Sequence, residues 1–278
     1  MLIGELEDCA ENQSATNVAA ECLNALDCIA IVSQDARRGI VGMGGIKAVA
    51  KVIREHGHHG QDKAHVEVVK CGLSLLTRVA INQSMIPQLA RESIAAVMDV
   101  ARNHSRNPTI LKPLFHLLTM MAFDVNTLEL IREENAISFV IDTLCNMYKF
   151  PAIVMQTITV LETIGTASTG HARVVADEGG KTAIKAAMKA YKRRKSGTDQ
   201  AVYQGAKDAL VMLDSVLLLE ATKRLKADHD YYYGSSLDPA LLGDSRKLNS
   251  KVAVRRRRDY KIMVNPYLSS PTNLGARK

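Results

Sequence analysis

The stretch from Gly39 to Lys47, GIVGMGGIK, contains the residue types that come nearest to a phosphate-binding loop. A P-loop ends in Gly-Lys followed by Ser or Thr, so that the lysine reaches the outer phosphates and the hydroxyl reaches magnesium. Here Ile46 precedes Lys47 and Ala48 follows it. The dinucleotide fingerprint G-x-G-x-x-G also fails, because Lys47 stands at the third glycine and polar, helix-like residues replace the preceding strand. We therefore expect no nucleotide site.

Four histidines lie close together in the stretch EHGHHGQDKAH, namely His56, His58, His59 and His65. Closely spaced histidines can bind zinc or nickel. However, no cysteine is near them, and the only acids in the run are Glu55 and Asp62. A solvated loop is the favoured interpretation, so the prediction is that there is no metal site.

Catalytic motifs are missing from the sequence, which contains no H-E-x-x-H, G-x-S-x-G or D-F-G. Two pairs of adjacent acids, at 133–134 and 177–178, each end a short helix pattern next to a predicted turn. They are most simply charges that face solvent. The sequence therefore predicts a protein that is not an enzyme and uses no cofactor.

The composition indicates packed helices. Of the 278 residues, 47% are apolar but only 4% are aromatic, and tryptophan is absent, so the core must be aliphatic. The cysteines are odd in number, scattered, and set in apolar helical patterns where a free thiol behaves as a small hydrophobe: Cys9, Cys22, Cys28, Cys71 and Cys145. This usage predicts a reducing, intracellular compartment. The N-terminus lacks a secretory signal pattern, and no apolar run approaches a membrane span, so no membrane insertion is expected.

A phrase recurs four times along the chain. It reads IVGMGGIKAVAKVI around Ile46, QLARESIAAVMDVA around Ile94, IREENAISFVIDTL around Ile137 and VADEGGKTAIKAAM around Lys181. The steps between these residues are 48, 43 and 44 residues. A period of about 40–47 residues is typical of arrays built from two or three helices per unit.

Each unit reads as a short helix, a tight turn, a second amphipathic helix and a longer third helix. The turn carries Gly44-Gly45 in one copy and Gly179-Gly180 in another. Glycine suits a sharp bend because it tolerates positive φ and a close backbone approach. Ser93 and Asn135 are interpreted as its substitutes in the other two copies. The predicted units are residues 34–82, 83–124, 125–168 and 169–226, with capping helices in 1–33 and at the end of the last unit.

These units resemble the armadillo repeat family over residues 1–226. The resemblance implies an all-α fold, namely a right-handed α-solenoid of about four armadillo-like repeats with capping helices and an extended C-terminal arm. HEAT repeats are the near alternative. The bent first helix and the two Gly-Gly turns favour armadillo.

The resemblance also implies that the third helices line a concave groove that binds extended peptides. In nuclear-import receptors and catenins this face carries a tryptophan ladder and an asparagine ladder. The tryptophan positions align with Asn24, Ser74, His116, Thr159 and Val211, and the asparagine positions with Cys28, Arg78, Met120, Thr163 and Ser215. Neither ladder is present, so no nuclear-import activity is expected. The candidate groove residues are Asn24, Ser74, Arg78, His116, Thr159, Thr163 and Ser215; the alternative is that they have no dedicated ligand.

A basic loop in the last unit, YKRRKSG, contains Lys192, Arg193, Arg194 and Lys195. It occupies the same place in its unit as the histidine loop, so both are predicted to project from one edge of the solenoid. The four side chains are candidate contacts to an acidic partner or a phosphate backbone. The alternative is a solvated basic loop.

Residues 227–278 differ in character from the rest of the chain. They contain ten Lys or Arg against five Asp, and they show no helical period. Such a segment buries too little apolar surface to fold alone, but its tyrosines suit ordering on a partner. The candidate partner-binding residues of this arm are Tyr231, Tyr232, Tyr233, Arg255, Arg256, Arg257, Arg258, Tyr260 and Tyr267. The arginine run has several open interpretations: a nuclear localisation signal, an RNA contact, a contact to an acidic lattice such as tubulin, an autoinhibitory segment, or a solvated run.

The sequence therefore predicts a non-enzymatic scaffold or structural subunit of a multi-subunit assembly, which docks other proteins through the solenoid (1–226) and the arm (227–278). Armadillo proteins that resemble this chain occur in the ciliary axoneme, which implies a cytoplasmic or cytoskeletal location. The predicted acidic partner surface is tubulin or nucleic acid. The alternative is a ribonucleoprotein subunit that uses the arm and the 192–195 loop.

Overall fold

A computed structural model describes residues 2–12, 15–58, 62–194 and 196–233, with side chains up to Lys223. Every regular element in these ranges is helical. The chain divides into two compact units, Met1–Glu220 and Ala221–Lys278. The second unit begins inside the last helix, so the packed array of helices belongs to the first. The predicted domain boundary at residue 226 stays a prediction.

Two short 3₁₀ turns, Gln83–Met85 and Val125–Thr127, directly precede the helices Ile86–Asn103 and Leu128–Glu133. The α-helices of the described ranges are α1 (Leu2–Glu11), α2 (Thr16–Val32), α3 (Gln34–Gly42), α4 (Gly45–Gly57), α5 (Lys63–Ala80), α6 (Ile86–Asn103), α7 (Pro108–Ala122), α8 (Leu128–Glu133), α9 (Ala136–Asn146), α10 (Pro151–Ala167), α11 (Thr169–Asp177), α12 (Gly180–Tyr191) and α13 (Gly197–Tyr233).

The units that begin at α3 and at α11 share their first helix and their corner in detail. Ser33 and Ser168 are extended N-caps whose hydroxyl oxygens accept hydrogen bonds from Ala36 N at 3.0 Å and His171 N at 3.2 Å. At the far ends of these helices, Gly44 has φ 81° and Gly179 has φ 90°. Both pairs are separated by 135 residues, so the caps and the corners recur together.

The second glycine of each pair is required by a close approach. A Cβ placed on Gly45 would lie 2.7 Å from the carbonyl oxygen of Ile40, and one on Gly180 would lie 2.7 Å from that of Val175. The stretch that resembled a phosphate loop is therefore a helix–helix corner. In the unit that begins at α8, Asn135 takes the same left-handed conformation with φ 54°, as predicted from its tolerance of that region.

The prediction for Ser93 was wrong. In the second unit no turn separates the first helix from the second, because α6 runs without a break from Ile86 to Asn103. Ser93 is buried in it, and its hydroxyl donates to the carbonyl of Leu89 at 2.7 Å. Glu92 stands where the other units have Gly44, Asn135 or Gly179, and a residue with a long side chain disfavours positive φ. The first and second helices are therefore fused.

The core between the helices is mostly aliphatic, as the composition predicts, and Phe115 and Tyr191 are the aromatic residues among its largest fully buried side chains. All five cysteines are free; three are buried, but Cys28 and Cys145 are exposed, so they are not core hydrophobes. No single described helix is long and apolar enough to cross a membrane. The pair Pro108–Ala122 and Val125–Glu133 passes on length and composition only when taken together across a 115° bend.

The last helix is longer than predicted. We expected the extended arm to begin at residue 227, but α13 continues to Tyr233. No glycine or proline interrupts the sequence between Gly205 and Gly234, so nothing ends the helix earlier. Tyr231, Tyr232 and Tyr233 are therefore the last residues of a helix.

Candidate binding surfaces

The third helices of successive units pack side by side. α2 contacts α5, α5 contacts α7, and α7 contacts α10. α10 and α13 also approach closely, since a Cβ on Gly205 would lie 2.7 Å from the terminal methyl of Met155. The predicted groove is therefore lined by an unbroken row of helices.

Most of the predicted groove residues are accessible on this row. Asn24 is exposed, while Ser74, Arg78, His116, Thr159 and Ser215 are partly exposed. Thr163 is only 7% exposed, and its hydroxyl donates to the carbonyl of Thr159 at 2.8 Å. The Thr159 hydroxyl donates to the carbonyl of Met155 at 3.0 Å. Because both threonine hydroxyls already donate their protons to backbone carbonyls, they can only accept a hydrogen bond from a ligand.

A charged contact that the sequence did not reveal joins two of the groove helices. Arg78 Nε on α5 lies 3.2 Å from Asp27 Oδ1 on α2, and both side chains are less than one-fifth exposed. Burial raises the pKa of Asp27, while Arg78 and a hydrogen bond from Ser74 oppose that rise. Two predicted groove residues thus hold an internal carboxylate. Asp27 lies one turn beyond Asn24, and this helical spacing was the available signal.

His116 is the titratable group at the middle of the row. Burial, and to a smaller extent the positive charge of Lys112 one turn away, lower its pKa. The imidazole is therefore neutral at physiological pH. A neutral ring can offer one donor and one acceptor to a peptide backbone.

The basic loop after α12 is tied to the loop after α9. Tyr191 is fully buried, and its hydroxyl donates to the carbonyl of Tyr148 at 2.5 Å. The Arg194 guanidinium lies 4.3 Å from the centre of the Tyr191 ring, and its Nη1 lies 3.7 Å from Asp199. Of the four predicted basic residues, Arg194 is thus engaged internally and Lys192 and Arg193 are exposed. Lys195 lies outside the described residues.

Two exposed aromatic residues at this edge were not among the site residues predicted from the sequence. Tyr148 is 47% exposed and Phe150 is 44% exposed, with the exposed Lys149 between them. They occupy a turn closed by a hydrogen bond from Phe150 N to Met147 O at 2.9 Å. The signal was available, because YKF directly precedes Pro151, the first residue of α10.

Comparison with known proteins gives structural relatives only, since no family model and no curated protein matches the chain. A designed armadillo repeat protein has TM-score 0.58 and 12% identity, with 90% of this chain and 93% of that one covered. A computationally designed armadillo repeat protein for modular peptide recognition has TM-score 0.57 and 12% identity, with coverages of 90% and 98%. A third, solved in complex with the peptide (KR)4, has TM-score 0.58 and 13% identity, with coverages of 91% and 99%.

The chain has the armadillo-repeat fold. This confirms the resemblance inferred from the repeated phrase and the all-α solenoid that it implied. Because these sequence identities are only 12–13%, the structural similarity establishes the fold but does not identify a ligand.

The remaining predicted candidates are the histidine cluster and the residues of the arm. His56 is buried beside His65, with ring centroids 5.4 Å apart, and His58 Nδ1 lies 3.0 Å from Asn103 Nδ2. Within the described ranges, which omit His59, no three His, Cys, Asp or Glu side chains are grouped to hold a metal. The side chains of Tyr231, Tyr232 and Tyr233, and all of Arg255, Arg256, Arg257, Arg258, Tyr260 and Tyr267, lie outside what the structure describes.

Proposed function

We propose that this armadillo protein is a non-enzymatic scaffold that binds an extended protein segment along the face of its third helices. The observation that carries the proposal is the unbroken row α2, α5, α7, α10 and α13, which presents small polar side chains with a neutral histidine at its centre. Such side chains can pair with the backbone of an extended peptide. Two relatives of the same fold, one made for peptide recognition and one solved with a peptide, support this use of the fold.

The groove face has no tryptophan or asparagine ladder, so its partner differs from a nuclear localisation signal. The charges along it are mixed, with Asp27 already neutralised by Arg78. We propose a partner segment that is polar and weakly charged, because strongly charged peptides would find no matching run of opposite charge. The bound segment would run from Asn24, on the first helix of the row, to Ser215, on the last.

We further propose that the chain is a structural subunit of a large intracellular assembly. The arm would dock a second partner through its basic and aromatic residues, and the ciliary axoneme, with the acidic surface of tubulin, is the assembly we put forward. This placement rests on the analogy with axonemal armadillo proteins. Fluorescence microscopy of the tagged chain in ciliated cells tests it: axonemal labelling supports the placement, and labelling confined elsewhere removes it.

Peptide display on the purified full-length chain tests the groove directly. Asn24→Arg with Thr159→Arg blocks two positions of the face. Gln88→Arg with Thr182→Arg adds the same charge on α6 and α12, away from it. We expect selected peptides to lose binding by more than tenfold to the first variant and less than twofold to the second. Equal binding to both variants would show that the groove is not the site.

A further inference from the structure

An uncompensated row of positive charge lies on α12 and the turn after it. Lys185, Lys189 and Lys192 are exposed and recur at spacings of four and three residues, which places them on one helix face. Arg193 is exposed beside them. Lys181 begins the same row but forms an ion pair with Asp214.

The other four positive charges of the row lack the ion pairs that several basic residues on other helices form. Several exposed basic residues on other helices have acidic partners, as in Arg38–Asp35, Lys51–Glu11 and Arg132–Glu129. None of Lys185, Lys189, Lys192 and Arg193 has an ion-pair partner among the residues that the structure describes. Like charges one turn apart on a helix repel each other, so this face is one that a polyanion would stabilise.

The row ends at the two exposed aromatic side chains. The hydrogen bond from the Tyr191 hydroxyl to the Tyr148 carbonyl joins the turn that carries Lys192 and Arg193 to the turn that carries Tyr148, Lys149 and Phe150. Tyr148 and Phe150 are the only aromatic residues among the large exposed apolar side chains of the described ranges. Cations and exposed rings therefore meet at one edge.

We propose that this edge, formed by Tyr148, Lys149, Phe150, Lys185, Lys189, Lys192 and Arg193, binds single-stranded nucleic acid. Bases stack on Tyr148 and Phe150 and phosphates lie along the lysine row. Exposed rings beside a basic track are the combination that sequence-tolerant single-strand binders use. An acidic protein helix fits less well, because the lysine row itself is flanked by Thr182, Ala186 and Ala190 and the large apolar side chains, Tyr148 and Phe150, lie together at one end. A duplex would leave the rings without unstacked bases.

This site goes beyond the proposed groove function and shares no residue with it. Either can therefore fail alone: loss of peptide binding by the groove variant tests the scaffold, and loss of nucleic-acid binding by the edge variants tests this site.

The test measures the Kd of the full-length chain for a fluorescein-labelled single-stranded RNA of about 15 nucleotides and mixed sequence, at several salt concentrations. Tyr148→Leu with Phe150→Leu removes the rings but keeps apolar bulk, and the Tyr191 contact survives because it uses the Tyr148 carbonyl. We expect about tenfold or greater weakening. Tyr148→Phe with Phe150→Tyr keeps both rings, and we expect its Kd to stay within twofold of the original.

The charge variant is Lys185→Gln with Lys189→Gln and Lys192→Gln. We expect it to reduce the slope of log K against log salt by about 2, since each phosphate contact on a single strand contributes roughly 0.7. The matched control, Lys47→Gln with Lys63→Gln and Lys207→Gln, removes three exposed charges elsewhere and should leave the slope nearly unchanged. The basic arm is intact in every variant, so its contribution cancels.

Three outcomes would overturn the site. The leucine variant could bind RNA as tightly as the chain with its natural residues, a duplex of the same length could bind more tightly than the single strand, or a polyglutamate peptide of equal charge could compete as well as the RNA. The last result would assign the edge to an acidic protein. Circular dichroism melting of each variant verifies that the comparison is made between folded chains.

Discussion

The corners between α3 and α4 and between α11 and α12 differ in structure from the middle of α6, although a copy of the same sequence repeat lies at all three places. At the two corners, a first glycine has positive φ and a second allows the backbone to pass the carbonyl of the residue five positions earlier. In α6, Glu92 and Ser93 occupy these places and the helix continues. A left-handed residue at the first position is therefore common to the bends at Gly44, Asn135 and Gly179. The lack of a side chain at the second position is specific to the two glycine corners, because Ala136 takes that place after Asn135.

The largest effect expected from this comparison is at the second glycine. Gly45→Ala and Gly180→Ala each place a methyl group 2.7 Å from a backbone carbonyl oxygen, which cannot move as a side chain can. We expect each to lower the free energy of unfolding by about 2–3 kcal/mol. Gly39→Ala, within α3 and with open space around it, should raise it by about 0.5–1 kcal/mol. Urea denaturation measures both, and a Gly45→Ala variant as stable as the original would remove the close-approach argument.

The first glycine should give a smaller effect. Gly179→Ala puts a methyl-bearing residue at φ 90°, and we expect a cost of about 1–2 kcal/mol. Gly179→Asn should cost less than half of that, because Asn135 already adopts the left-handed conformation at the equivalent corner. Thermal unfolding followed by circular dichroism ranks the two. The reverse order would mean that conformation is not what selects the residue.

The straight helix provides the converse test. Glu92→Gly with Ser93→Gly gives α6 the glycine pair of the corners. We expect the free energy of unfolding of the double variant to fall by about 2 kcal/mol. Each glycine destabilises a helix interior by roughly 1 kcal/mol, and no neighbouring contact would stabilise a bend at this place. A gain in stability in chemical denaturation would instead indicate that the fused helix is strained.

The smallest expected effect concerns the contact between these two kinds of unit. His104, at the end of α6, donates from Nε2 to the carbonyl of Gly57 at the end of α4, at 3.1 Å. Burial lowers its pKa from the ordinary value of 6.5. The unfolded chain therefore binds more protons just below pH 6.5, and stability should fall as the pH drops through that range. Burial likewise lowers the pKa of His171.

Melting temperatures measured between about pH 7.5 and about pH 5.5 test this dependence. His104→Gln removes the titrating group at one site, so its loss of stability on acidification should be smaller than that of the original chain. A variant with the same pH dependence would show that His104 does not contribute.

The repeats could be predicted because their signals are local and periodic. Gly44, Asn135 and Gly179 identify their corners through backbone preference alone. Ser93 misled the prediction because the bend is decided one position earlier, at Glu92. The end of α13 was placed too early, because the polar tyrosine-rich segment hides the lack of any helix breaker before Gly234.

The binding surfaces were less predictable, because they depend on contacts between units. The alignment placed Ser74 and Arg78 on the predicted groove, but it could not show that they contact Asp27 from another helix. The basic loop was found as a run of charge. Its aromatic neighbours were missed because Tyr148 belongs to the preceding unit and reaches the loop only through Tyr191.

Site-specific photo-crosslinking in native cells tests the central claim, that the third-helix face is the binding surface of this scaffold. A photoreactive residue placed at Asn24 or Thr159 reports on the groove, and one at Gln88 or Thr182 reports on the first and second helices. We predict that the two groove positions crosslink to one common protein and that the other two do not. Crosslinks to partners only from Gln88 or Thr182 would contradict this claim.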